Sequence, residues 1–427
     1  MCGCLMDLKF NKILFMLKSY FKIAIAVLMR RKFFTFISLF GISFTLTILM
    51  ILTAFVDKVI NDNYPDRKRD RSLYITGLEE KGVRKNGENT SSGPMSFYFL
   101  NHYARTLKIP TKVAISSNYS STNTYVNNKK IVINYKYINA DFWDVLDFDF
   151  LEGKPFTREQ IDNGERVTVI SEDTKKEYFG DMSSVIGKYI EADNVQYRVS
   201  GVVKSVPITT YMLYSDIYLP YTVSKTDYTN TGYRGSYTGI LLAPSKTDMV
   251  PMQREYEQMI NKLPMESNQF DKIFSHANTF IKGYVNTGNE EKSGLNYAFT
   301  AIAIFAFLVM LLPTLNLVNI NVTRIMERSS EIGVRKAFGA SSRILVYQFI
   351  VENLILTFLG GLIGIVLSMI ILNFINNANL IANLPLSVNV TVLFIGLLTC
   401  LIFGLLSGVY PAWRMSKLNV VDALKAQ

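Results

Sequence analysis

The sequence predicts a membrane α-helical protein with four transmembrane helices and a large α+β extracytoplasmic domain inserted between helices 1 and 2. Three observations carry this. Of 427 residues 49% are hydrophobic, and they gather into four long runs almost free of charge. The basic residues gather in the short segments on one side of those runs. The one long segment is charge-balanced and mixes strand-like with helix-like patterns.

Crossing a bilayer core takes about 20 apolar residues at 1.5 Å rise each. Residues Phe33 to Val56, Ala298 to Val322 and Val390 to Tyr410 carry no charge, and Tyr347 to Ile375 carries one, Glu352. A single run of this kind suits a buried helix of a soluble protein; four of them do not. The spans are therefore placed at 33–56, 298–322, 347–375 and 390–410. The first is too long for a secretory signal and its basic leader too extended, so it reads as an uncleaved anchor.

Orientation follows from Lys and Arg in the short flanking segments. Residues 1–32 hold seven, the loop 323–346 holds five, the tail 411–427 holds three, and the loop 376–389 holds none. Both termini and the 323–346 loop are then cytoplasmic, and residues 57–297 lie outside. The three cytoplasmic segments carry fifteen basic and four acidic residues, the outer segment thirty of each. With Glu352 in the third span these account for the net charge of +10, which thus belongs beside anionic lipid headgroups, and nucleic acid is set aside as a partner. In the leader, Phe10, Ile13, Leu14, Leu17, Phe21, Ala24 and Leu28 recur at helical spacing, which predicts an amphipathic helix lying on membrane lipid. The outer segment has no Cys and must fold on its apolar core.

That segment opens with a mixed-charge run, Asp66 to Arg71, read as a solvated stalk. Runs rich in Val, Ile and Tyr predict strands at 73–76, 112–116, 130–137, 167–170, 197–203, 216–219 and 239–242. Helical spacing predicts helices at 96–107, 140–146, 172–179 and 248–263. The irregular interleaving favours an α+β domain, read as two lobes joined near Pro207 to Tyr214. Asp141, Asp144, Asp147 and Asp149 read as a solvated helix face and turn in preference to a catalytic pair.

Known chemistry is scarce. No G-x-x-x-x-G-K-[ST], H-E-x-x-H, C-x-x-C or G-x-S-x-G occurs, and only His102 and His276 are histidines, so no catalytic, cofactor or metal site is assigned. Glu352 is the one ionisable residue inside a span, and the reading is that it reaches back to Arg343 or a loop amide. Packing signals are clearer. Gly360, Gly364 and Ser368 fall four apart in the third span and Gly404 and Gly408 in the fourth, a spacing that lets helices approach closely. In the second span Pro313 permits a kink, while Asn316 and Asn319 share a face; these residues could serve packing within the chain or a dimer.

Between spans two and three, Glu327, Glu331, Arg335 and Lys336 are spaced for i,i+4 pairing along a helix, and Gly339 ends it. Ile332, Ala337 and Phe338 offer apolar contacts to a groove on a soluble partner. The stretch Glu327 to Ala340, ERSSEIGVRKAFGA, resembles the signature of FtsX/MacB-type ABC transporter permeases, the type VII class. Gln348, Glu352, Gly360-Gly361, the tail Tyr410 to Leu418, Asp422-Ala-Leu and the leader Met29 to Phe34 extend it. The segments Tyr137 to Leu146, Leu151 to Phe156, Val169 to Glu172, Ile186 to Lys188 and Val199 to Val203 resemble a MacB-like periplasmic core domain.

The resemblance implies a permease subunit of the bacterial inner membrane, not itself an enzyme, whose residues 327–339 are the coupling helix that docks a cytoplasmic ABC ATPase. ATP and Mg belong to that partner. MacB itself carries a fused ATPase domain and FtsX has a smaller ectodomain, so the ATPase is expected on a separate chain. Two permease chains, identical or not, would associate, and ATP-driven motion would be transmitted to the outer domains to export a peptide, drug or toxin. A periplasmic adaptor and an outer-membrane channel are further partners the resemblance allows. Two rivals stay open: a lipoprotein-releasing permease, and a regulatory FtsX-like protein controlling a cell-wall hydrolase or signalling partner.

Overall fold

The computed structural model describes residues 25–60 except 27, 28 and 31; 64–285 except 85, 86, 127, 226 and 227; 294–308; 311; 342–380; 383–387; and 394, 395, 398 and 402. It divides into two compact units. One contains residues 1–57, 301–380 and 385–427, and the other residues 58–300 with 381–384.

In the helical unit, α1 (Lys32–Ile60) begins, and its segment Thr35–Lys58 is long and apolar enough to cross a membrane. A second such segment, Ile350–Asn377, lies in the 36-residue helix α9 (Ser342–Asn377). The helix α8 (Leu295–Leu308) is apolar but shorter. Two membrane-length helices are therefore present among the described residues. Most of the expected spans 298–322 and 390–410 lies outside them, as do the leader up to residue 24 and the loop up to residue 341.

The other unit is α+β. Its strands are β1 (Ser72–Ile75), β2 (Leu78–Arg84), β3 (Gly87–Gly93), β4 (Lys112–Ser117), β5 (Ser120–Val126), β6 (Lys129–Ile138) and β7 (Phe150–Gly153). The remainder are β8 (Val167–Ser171), β9 (Tyr189–Ala192), β10 (Val195–Val203), β11 (Ile217–Pro220), β12 (Tyr237–Leu242), β13 (Lys272–Phe274) and β14 (Ala277–Asn278). Eleven form one mixed sheet in the order β14-β1-β12-β4-β6-β11-β8-β10-β7, with β5 beside β6 and β9 beside β10. The pairs β6–β11 and β8–β10 are parallel. A second sheet has the order β13-β2-β3.

Strands β1, β8 and β11 are buried at every position, because helices and loops cover both faces. This is why each reads as an unbroken apolar run instead of alternating with polar residues. Within each, successive side chains enter opposite cores. Leu73 and Ile75 join Ile217, Leu219 and Ile170 on one face, together with α2 (Phe97–His102) and α6 (Met249–Ile260) through Met252, Tyr256 and Ile260. Tyr74, Tyr218, Val167 and Val169 enter the other, with Phe142 and Val145 of α3 (Asp141–Val145) and Phe280 of α7 (Phe280–Val285). The short helix α4 (Arg158–Asp162) opens on a Thr157/Gln160 capping box, and α5 (Glu172–Phe179) on the Ser171 side chain.

The segment Pro207 to Tyr214 does not join two lobes. The large sheet interleaves strands from both sides of it in sequence, β11 and β12 lying among β1, β4, β6 and β8, so no boundary can fall there. Met212 and Leu213 are instead buried in the second core. Lys136 on β6 fixes the segment. It is 1% exposed, and its ammonium donates to the carbonyls of Ser117 and Met212, both at 2.8 Å.

Burial drives the Lys136 ammonium down to about 7. An unfolded lysine titrates near 10.4. Between those values the unfolded chain holds more proton than the folded one, so this group's contribution to stability rises with pH from about 7 to 10 and is flat below. We expect Lys136→Met to remove that rise. The stability of the variant relative to the parent should fall by about 1.4 kcal/mol per pH unit between pH 7.5 and 9. Denaturation of the full chain in detergent, followed by Trp143 fluorescence with Trp413 replaced by Phe, measures it; a pH-independent difference would show Lys136 to be charged throughout.

Candidate functional site

The α+β unit begins at Lys58 and contains a short buried network of charge. Asp66 is 1% exposed and Arg69 7%, although the sequence places both in a run with every mark of a solvated stalk. The Arg69 Nε donates to Asp66 Oδ2 at 2.9 Å, and the Tyr74 hydroxyl donates to the same oxygen at 2.6 Å. The Arg69 guanidinium lies 3.5 Å from the centroid of the Phe280 ring, and its Nη1 donates to the Ile60 carbonyl at 3.3 Å. Phe280 in turn meets the edge of Tyr74, with centroids 5.4 Å apart. One guanidinium thus meets the Ile60 carbonyl and the Phe280 ring of α7, and through Asp66 it is linked to Tyr74 of β1, the second strand from one edge of the large sheet. Burial, reinforced by the Asp66 carboxylate, holds the Tyr74 phenol far above its ordinary range, so it is a permanent donor.

Around this centre the 64–71 segment is pinned at further points. The Tyr64 hydroxyl donates to the Lys204 carbonyl at 2.7 Å. Arg67 Nη2 reaches both carboxylate oxygens of Asp149, at 3.0 and 2.8 Å, and Lys68 pairs with Asp147 at 2.8 Å. Three of the four aspartates at 141–149, Asp144, Asp147 and Asp149, keep exposed side chains as a solvated face requires, and the fourth does not. Asp144 pairs with Lys112 at 3.0 Å, while Asp141 is buried and pairs with Arg105 at 2.6 Å and Arg158 at 2.8 Å. Each carboxylate is engaged by a cation, which fits cross-bracing of α3, β4 and the segment after Tyr64, and leaves no pair poised for acid–base work. Among the described residues no group of three or more His, Cys, Asp or Glu could hold a metal ion.

In the helical unit the small residues of α9 sit against α1. A Cβ on Gly360 would lie 2.8 Å from Ile42, and one on Gly364 would lie 2.9 Å from the Ser43 carbonyl and 3.0 Å from Leu46. Thr47 Oγ1 donates to the Gly364 carbonyl at 3.1 Å, and Ser368, fully buried, has its hydroxyl 3.5 Å from Met50 Sδ. Backbone contact this close is what the absence of side chains permits. Glu352 is 2% exposed. Pro313, Asn316, Asn319, Gly404 and Gly408 lie outside the described residues, as do Glu327, Glu331, Ile332, Arg335, Lys336, Ala337, Phe338 and Gly339.

Residues 35–258 match the family description "MacB-like periplasmic core domain", and residues 303–420 match "FtsX-like permease C-terminal". The chain is 26% identical over 324 residues to the macrolide export ATP-binding/permease protein MacB of Acinetobacter baylyi, covering 74% of this chain and 46% of that protein. It is 25% identical over 291 residues to the uncharacterized ABC transporter permease YknZ of Bacillus subtilis, covering 67% of this chain and 68% of the other. Among solved structures, the periplasmic region of MacB from Actinobacillus actinomycetemcomitans aligns at 18% identity and a TM-score of 0.33, over 44% of this chain and 84% of that one. The chain spans about half the length of the MacB proteins it matches.

Removing one partner of a buried ion pair strands the other, at a cost of about 3–5 kcal/mol, whereas exposed pairs contribute about 0–1 kcal/mol. Asp66→Ala should therefore destabilise the α+β unit by several times the effect of Asp149→Ala, read from Trp143 fluorescence on denaturation. The double change Asp66→Leu/Arg69→Met should recover most of the loss, because no buried charge is then left alone. Equal effects of Asp66→Ala and Asp149→Ala would show that the network is not the tie described. In the helices, cysteines placed at Ile42 and Leu356 in a chain lacking its own three should cross-link, and Gly360→Leu should reduce that yield several-fold.

Proposed function

This chain belongs to the family of permeases with a MacB-like periplasmic core domain and an FtsX-like C-terminal segment, and on that premise we propose that it is the permease subunit of a MacB-type ABC transporter. Two such chains sit in the bacterial inner membrane, with both termini cytoplasmic and residues 57–297 outside. ATP is hydrolysed by an ABC ATPase on a separate subunit. That ATPase docks on the helix carrying Glu327, Glu331, Ile332, Arg335, Lys336, Ala337, Phe338 and Gly339, where Arg335 and Lys336 face acidic residues of the partner. Closure of the ATPases moves the coupling helices and hence the spans. The motion reaches the outer domains, which expel a peptide, drug or toxin that does not itself cross between the spans.

The observation that carries this reading is the pair of family matches, which together take in most of the segment between the expected first and second spans and the loop with the coupling motif. The physical features support it. A lever needs a stiff shaft, and α1 is an unbroken helix of 29 residues. A conducting route needs ionisable or water-lined groups within the spans, and the four apolar runs hold one, Glu352.

The test is reconstitution of the full chain with its cognate ATPase in proteoliposomes. Glu331→Ala/Arg335→Ala should return ATP hydrolysis to the level of the isolated ATPase. Asp66→Leu/Arg69→Met should leave stimulated hydrolysis intact and abolish cargo movement, the signature of a broken transmission. Undiminished stimulation by the first variant would remove the coupling assignment, and undiminished transport by the second would remove the joint from the mechanism.

A further inference from the structure

The α+β unit contains a cleft of about 310 Å³ that the transmission mechanism does not use. It is walled by Thr76 beyond β1, Ser92 on β3, Asn118 after β4, Thr238 on β12, Tyr211 and, on α7, Tyr284. None of the residues lining it carries a charge. The rings of Tyr211 and Tyr284 stand together on one wall, with centroids 5.2 Å apart and planes at 53°, and both remain part-exposed. The Thr76 hydroxyl is buried and has no hydrogen-bond partner.

Two features set this cleft apart from an ordinary surface dent. It is held open from behind. Lys136 has given up its hydration to bind the carbonyls of Met212, which lines the cleft, and of Ser117, next to Asn118. Because the amine ties both segments to β6, the two walls are fixed before any ligand arrives, which lowers the entropic cost of binding. The lining also selects a chemistry. With no cation it cannot recognise a phosphate or carboxylate, and with no acid it cannot recognise an amine. A wholly apolar guest would cover the Ser92 hydroxyl and the Asn118 amide, at about 1–3 kcal/mol for each group left unsatisfied. What remains is a neutral molecule with one apolar face for the tyrosine rings and several hydroxyl or amide groups for the opposite wall. The volume lies at the lower end of the roughly 300–1,000 Å³ of small-molecule sites.

We propose that this cleft binds an uncharged saccharide of one or two rings, the C–H face of a ring lying on Tyr211 and Tyr284 and its hydroxyl or acetamido groups meeting Ser92 and Asn118. The site is confined to the α+β unit and stands or falls apart from the permease reading. Saturation-transfer NMR on the purified full chain in detergent, with N,N′-diacetylchitobiose as the probe, tests it. The probe should receive saturation at its ring C–H and acetyl protons. Tyr284→Ala should weaken binding by about five-fold or more, the loss expected of one aromatic contact, while Tyr284→Phe, which keeps the ring, should bind like the parent. Tyr189→Ala, at an exposed position of β9 away from the lining, should have no effect. The proposal is overturned if the probe receives no saturation at millimolar concentration, if Tyr284→Ala binds as well as Tyr189→Ala, or if an N-acetylated trialanine amide displaces the sugar. Displacement by that peptide would assign the cleft to extended peptide backbone.

Discussion

The arrangement of the α+β unit turns on one buried charge, the Arg69 guanidinium. An ion taken out of water must recover its solvation from fixed partners, and Arg69 finds them in three elements at once: the Asp66 carboxylate, the Ile60 carbonyl and the face of Phe280. None of these can move away without leaving the charge stranded. The chain from Tyr64 to Arg71 is therefore not the solvated stalk its charges suggest. It is a packed joint inside the α+β unit, and the surface pairs from Arg67 and Lys68 to Asp149 and Asp147 add restraint at little individual energy.

The sheet receives what the joint holds. Tyr74, which completes the Asp66 site, belongs to β1, and β1 pairs on both sides, with β12 and β14. Strands buried on both faces are the parts of a domain least able to open locally, because each exposes two packed surfaces when it leaves. Attaching the joint to β1 thus places it on a strand buried along its whole length.

How much of this could be read from the sequence differs by element for physical reasons. The seven expected strands correspond to β1, β4, β6, β8, β10, β11 and β12, all members of the large sheet, because burial on one or both faces forces apolar side chains into short runs. The helices at α3, α5 and α6 were legible from apolar spacing and caps. The strands β2 and β3 were not: Leu-Glu-Glu-Lys-Gly-Val-Arg and Gly-Glu-Asn-Thr-Ser-Ser-Gly carry no apolar alternation, and their pairing is made by backbone bonds that leave no trace in side-chain type. The joint was illegible for a related reason. Asp66 and Arg69 stand among Arg67, Lys68, Asp70 and Arg71, and nothing in residue type separates the pair that is buried from its exposed neighbours. Burial there is set by Phe280, more than 200 residues away, which closes over the guanidinium. A local reading of charge cannot contain that contact.

The same helix that closes the joint also walls the cleft. Phe280 and Tyr284 are one turn apart on α7, and their rings lie 5.7 Å from each other. The joint and the cleft are therefore two ends of one short rigid element. Contiguity is a statement about space, and it becomes coupling only where a ligand binds two states of the joint with different affinity. The geometry determines where such a difference would arise. A guest resting on Tyr284 meets a ring whose hydroxyl is bonded to the Thr209 carbonyl and whose neighbour is Tyr211, on the segment that Lys136 anchors through Met212. Any displacement of α7 would also carry Phe280, the ring that lies against the buried Arg69 guanidinium, where burial makes small changes expensive.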